Sequence, residues 1–113
     1  TPKRCVRLGR DIAELISEYP EDIKVGLIAS GGLSHFVVDE ELDRGLMEAF
    51  KNKDLNYLAS LDPGRLKAGS SEIRSWLLVA AAAEKLDLSW MDYVPAYRSP
   101  ALTGTGLGFA AWK

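Results

Sequence analysis

Cysteine and histidine are the scarcest reactive residues in this 113-residue chain, which holds one of each, Cys5 and His35. A lone cysteine excludes an internal disulfide, makes a reducing cytoplasm the natural compartment, and is read as an incidental thiol. Charge of one sign is also missing. Fourteen Lys and Arg against sixteen Asp and Glu leave a net charge of −2, which gives no bias towards nucleic acid or acidic membrane surfaces. Long hydrophobic runs are absent too: the longest, Trp76 to Ala83, falls far short of the ~20 residues a bilayer requires. No signal-peptide pattern occurs. What remains, 47% hydrophobic and 27% charged residues, describes an ordinary soluble globular protein with a single core, one small domain or part of a larger one. No internal repeat, low-complexity tract or linker divides residues 1–113. The chain enters a helical pattern directly at Thr1, so the start of the polypeptide is expected upstream.

The chain is organised around Ser30-Gly31-Gly32-Leu33-Ser34-His35, a glycine-rich turn ending on the one histidine. Before it, Leu8, Ile12, Leu15, Ile16 and Tyr19 recur at helical spacing and predict an amphipathic helix that Pro20 stops. Lys24 to Ala29 is unbroken in apolar character after its lysine and predicts a strand covered on both faces. Missing side chains at Gly31 and Gly32 let backbone approach a ligand or adopt positive φ. After the turn, Asp39-Glu40-Glu41 supplies a helix cap and first-turn negative charge. Leu42, Leu46, Met47, Ala49 and Phe50 then form the buried stripe of a helix, with Asp43, Arg44, Glu48 and Lys51 on its wet side. A shorter helical turn follows around Leu55, Leu58 and Leu61, closed by Asp62-Pro63-Gly64.

Gly69-Ser70-Ser71 offers caps for a helix from about Glu72 to Leu86 that is apolar on every side and packs closely through its alanines. Glu72 shares a face with Trp76, Val79 and Ala83, where an unpaired buried carboxylate would lose much solvation. Trp90 to Tyr97 is β-like, interrupted by Pro95. Glycines at 104, 106 and 108 would leave one face of a strand bare and open to close approach. They do not make a phosphate loop, because no Gly-Lys-Ser/Thr follows. Helix followed by buried strand predicts the α/β class, with a mixed sheet flanked by helices.

His35 has two readings: an imidazole satisfied near the core, or an acid/base group beside a bound substrate; the glycine turn favours the second. Glu72 as a helix-start carboxylate would gain about 0.3–1 kcal/mol from the dipole. Asp39, Glu40 and Glu41 are read as cap and solvated charge rather than metal ligands. Tyr97 and Arg98 are candidates to hold a substrate phenol or carboxylate, or else pack at a strand end. Ser30 and Ser34 raise a Ser-His hydrolase, but no Gly-x-Ser-x-Gly elbow occurs.

Four stretches agree in order and spacing with one family: Val25-Gly-Leu-Ile-Ala-Ser-Gly-Gly-Leu-Ser-His35, Asp43-Arg44, Gly69-Ser-Ser-Glu72-Ile-Arg-Ser-Trp76 and Thr103-Gly-Thr-Gly106. Together they make the chain resemble the C-terminal part of the class III extradiol ring-cleavage dioxygenases, the family of the protocatechuate-cleaving catalytic subunit. The resemblance implies the C-terminal half of a larger α/β domain that uses non-haem Fe(II) and O2 to cleave a catechol-type aromatic ring. It implies that Glu72 is the carboxylate iron ligand and that His35 is an acid/base residue and not a ligand; Ser34, Tyr97 and Arg98 stand beside these as candidates for substrate contact. The family's iron is held by two histidines and a glutamate, and this chain has no second histidine. An N-terminal segment or a partner chain is therefore expected to supply both. The alternative is a non-catalytic structural or binding domain of the same fold. An apolar face left uncovered would favour a homo-oligomer.

Overall fold

A computed structural model describes residues 1–113. Helix α1 spans Pro2–Ser17, strand β1 His35–Val37, α2 Glu40–Asn52, α3 Leu55–Ala59, α4 Ile73–Ala82, β2 Leu88–Tyr97 and β3 Thr103–Trp112. Two 3-10 turns, Pro63–Arg65 and Ala68–Glu72, fill the passage from α3 to α4. Helices and sheet combine as the α/β reading requires. No helix is long and apolar enough to cross a membrane.

The Thr1 hydroxyl caps α1 by accepting from the Arg4 N–H at 3.2 Å, and Pro2 occupies the first turn, where its missing N–H is harmless. The face that α1 buries differs from the one its apolar spacing predicts. Pro2, Val6 and Gly9 face inward, whereas Leu15 is 66% exposed and Leu8, Ile16 and Tyr19 are largely open. The reason is Gly9: a Cβ there would overlap the Leu78 carbonyl and the Ala81 methyl. Small residues on both helices let α1 and α4 approach closely, and that contact outweighs the larger stripe.

Asp39 starts α2 as expected, its carboxylate accepting from the Leu42 N–H at 3.1 Å, and Lys53 closes the helix in the left-handed region. Leu42, Leu46, Met47, Ala49 and Phe50 are buried as the pattern requires; Asp43, placed on the wet side by that pattern, is 0% exposed. Phe50 stacks on Trp76 with ring centroids 5.6 Å apart and meets Trp112 edge-on at 6.2 Å, which joins α2, α4 and β3 in one core. Helix α4 is deeply set, as its composition predicts. Its regular part is shorter than expected, because it ends at Ala82: Ala83 caps it and the Glu84 and Leu86 N–H groups close turns on the Ala81 and Ala83 carbonyls at 3.2 and 2.9 Å.

The three strands pair antiparallel in the order β1-β3-β2. His35 lies opposite Thr105, which lies opposite Ala96; the next row is Phe36, Gly104 and Tyr97. Pro95 is tolerated because β2 is an edge strand. The expected strand at Lys24 to Ala29 does not form. None of Lys24 to Gly32 makes a backbone-to-backbone hydrogen bond, and Ile23, Val25, Leu27 and Ile28 are exposed, Ile28 to 87%. A strand exists only with a partner that takes its N–H and C=O groups, and no strand of this chain pairs with that stretch. The sheet is therefore wholly antiparallel rather than mixed.

Candidate active site

Gly106 and Gly108 of β3 face α2 and the turn, whereas a Cβ at Gly104 would strike the Ala96 carbonyl of β2, and the first two set the site. A side chain at Gly106 would overlap the Asp43 carboxylate and the Ser34 hydroxyl, and one at Gly108 would meet Leu33. The bare face expected from the spacing is thus where the turn docks. The Leu33 N–H donates to the Gly106 carbonyl at 2.7 Å and the Gly106 N–H to the Ser34 carbonyl at 2.8 Å. Leu33 and Ser34 are both buried.

His35 follows, with its backbone N–H donating to the Ser70 hydroxyl at 2.9 Å. Its Nδ1 lies 2.8 Å from the Leu33 carbonyl oxygen. A carbonyl only accepts, so Nδ1 carries a proton in this contact, and in the neutral ring Nε2 keeps the lone pair. That Nε2 lies 3.4 Å from Glu72 Oε2, with 21% of the His35 side chain and 50% of the Glu72 side chain exposed. Gly69 gives the imidazole its room, since a Cβ there would strike the ring.

Glu72 lies differently from its expected deep position. It stands where the 3-10 turn passes into α4, half in solvent, with its carboxylate folded over Gly31. Gly31 has φ of +94°, which favours glycine, and the space above it is taken by the Glu72 carboxylate. The Gly31 carbonyl accepts from the Trp76 indole N–H at 3.2 Å, which ties the turn to α4. His35 and Glu72, separated by 37 positions in the chain (72 − 35), thus meet at one open edge.

The other residues singled out from the sequence lie elsewhere. Ser34 is 1% exposed, and its hydroxyl donates to Asp43 Oδ2 at 2.5 Å while accepting from the Asp39 N–H at 3.0 Å. Tyr97 lies one row along the sheet from His35, and its hydroxyl donates to Glu40 at the start of α2. That bond raises the Tyr97 hydroxyl above the usual phenol range; the same bond, followed by Arg44, lowers the Glu40 carboxyl. Arg98 is exposed where β2 ends, its backbone N–H donating to the Thr103 carbonyl. Glu40 and Asp39 are engaged by Arg44 and Arg65, each at 2.8 Å.

Sequence reasoning counted Asp43 in the family pattern but placed it on the wet side of α2 and missed its part in the site. Its carboxylate accepts from the Ser34 N–H at 2.9 Å, the Ser34 hydroxyl, and the Tyr93 hydroxyl at 2.6 Å. The signal was present in the spacing: Asp43, Met47 and Phe50 stand at i, i+4 and i+7, on the flank of the buried stripe. Burial, then the bond to Asp43, raises the Tyr93 hydroxyl well above the usual phenol range.

No three His, Cys, Asp or Glu side chains come together in a way that could hold a metal ion. The residues of this chain do not by themselves make the three-ligand facial set that non-haem iron requires. A cleft of about 990 Å³ lies between the end of α1, residues 23–29 and the ends of α4 and β3, and neither His35 nor Glu72 lines it.

Residues 1–107 match the family model described as the catalytic LigB subunit of aromatic ring-opening dioxygenase. Among curated proteins, the gallate dioxygenase of Pseudomonas putida strain KT2440 is 48% identical over 40 residues, a stretch covering 35% of this chain. The chain spans 12% of that relative's length.

Proposed function

The chain belongs to the family of catalytic LigB subunits of aromatic ring-opening dioxygenases, and on that footing we propose that it is the C-terminal part of a catalytic unit for extradiol cleavage of a catechol-type ring by O2. The observation that carries this reading is the meeting of His35 Nε2 and the Glu72 carboxylate at an open edge, 3.4 Å apart. With its proton fixed on Nδ1, His35 presents a basic nitrogen to whatever binds there, suited to accept a proton from a substrate hydroxyl and return it. Glu72 is the carboxylate from this chain that would hold iron, which when bound supplies a common site for the diol and O2. Two further histidines come from an N-terminal segment or a partner chain. Ser34 serves the site through the turn it anchors; Tyr97 and Arg98 mark the far end of the β2–β3 hairpin and reach substrate only if the completed protein folds over it. The setting proposed is cytoplasmic, with no nucleic acid or membrane partner.

The test is O2 uptake and iron content after anaerobic loading with Fe(II), using gallate and protocatechuate as diols. The 113-residue chain alone is expected to show neither; the same chain completed by the sequence upstream of Thr1 is expected to show both. If the completed protein has only one histidine and no partner supplies others, or if it takes up no O2 with any catechol, the enzyme reading fails. The protein is then the non-catalytic module of the same fold.

A further inference from the structure

We propose that Asp43 is a positioning residue that selects the tautomer of His35, acting through the peptide unit between Leu33 and Ser34. This deepens the reading of His35 as the acid/base residue and rests on it. The Leu33 carbonyl and the Ser34 N–H belong to one planar peptide, so fixing the direction of one fixes the other. Asp43 Oδ1 accepts from that N–H at 2.9 Å, and the Leu33 carbonyl on the opposite edge of the same plane then lies 2.8 Å from His35 Nδ1.

The choice of tautomer is a real competition. In the neutral ring of the iron-free chain, Nδ1–H is favoured by the Leu33 carbonyl at 2.8 Å, whereas Nε2–H would be favoured by the Glu72 carboxylate at 3.4 Å. The shorter contact wins only while the peptide plane holds its direction. Three donors in turn hold Asp43: the Ser34 N–H, the Ser34 hydroxyl and the Tyr93 hydroxyl. It is fully buried and no buried side-chain polar atom is left without a partner. Gly106 leaves it the space. A buried carboxylate with no cation among these partners is costly to desolvate, and the control of the catalytic nitrogen is a function that accounts for its presence. If the plane swings free, the proton moves to Nε2 towards Glu72, and the nitrogen facing the open edge ceases to be a base.

The one histidine in the chain makes this directly measurable, since a long-range 1H–15N spectrum of the imidazole contains a single residue's signals. With the ring neutral, the wild-type chain is expected to show the Nδ1–H pattern. Asp43→Ala is expected to shift the population towards Nε2–H. Asp43→Asn, which keeps an acceptor for the Ser34 N–H, is expected to retain the wild-type pattern, and so is Leu58→Ala, which weakens the remote part of the core. An unchanged tautomer in folded Asp43→Ala overturns the proposal. So does a shift in Asp43→Asn or Leu58→Ala as large as in Asp43→Ala. Should Asp43→Ala not fold, Gly106→Ala displaces the same carboxylate from β3: a shift there supports the proposal and an unchanged pattern overturns it. The readout is ring geometry, not turnover, so a failed dioxygenase assay and a failed tautomer assay are separate results.

Discussion

Residues 24–29 and 31–35 are neighbours in sequence and opposite in state. The first stretch is apolar after Lys24 and largely exposed, and it makes no backbone-to-backbone hydrogen bond. The second is richer in small and polar residues, yet four of its five residues are held by backbone or side-chain hydrogen bonds that reach β3, α2, α4 or the turn before α4. Hydrophobicity alone therefore does not bury a segment here; available partners do. The turn has the bare face of β3 to lie on, and the stretch before it has none.

That contrast can be broken most strongly at Leu33, which is fully buried where Ile28 is not. Leu33→Ala is expected to lower unfolding free energy by about 2–5 kcal/mol, read from urea denaturation. Gly106→Ala attacks the turn from the other side by forcing a methyl into the Asp43 carboxylate, at a cost of about 1–3 kcal/mol in the same measurement. The network also has a pH signature. Because the Tyr93 hydroxyl is held protonated in the fold by burial and Asp43, the unfolded chain ionises first. Stability is then full below the ordinary phenol value near ~10 and falls as pH rises above it, by at most about 1.4 kcal/mol per pH unit. Tyr93→Phe is expected to flatten most of that slope, leaving the smaller contribution of exposed Tyr97. The smallest effect belongs to the loose stretch: Ile28→Ala should change stability by no more than about 0.5 kcal/mol. Amide exchange sharpens the same comparison, with residues 24–29 unprotected while Leu33 and Ser34 exchange only on wider unfolding. A protected 24–29 segment would mean that a partner has been found.

Much of the site was legible in advance for reasons specific to each residue. The glycine turn, the Asp39 cap and the bare face of β3 follow from local rules that hold wherever such residues occur. The Leu42-Leu46-Phe50 stripe buries as its spacing demands, and α4 lies deep as its composition demands. The misses are of another kind. The α1 stripe turned outward because Gly9 and Ala81 fit each other better than Leu8 and Leu15 fit anything present. Asp43 went inward because donors from Ser34 and Tyr93, the latter 50 residues away, converge on it.

By itself the sequence determined the family to which the chain belongs, the helix starts, and the presence of one imidazole on a glycine turn, because these depend on residue type and short spacing. Only the tertiary structure decided that Glu72 lies over Gly31 within 3.4 Å of His35, that Asp43 is buried, and that Lys24 to Ala29 stays unpaired. Each of those depends on what another, distant segment brings to the contact, and a periodicity read along the chain contains no information about the partner.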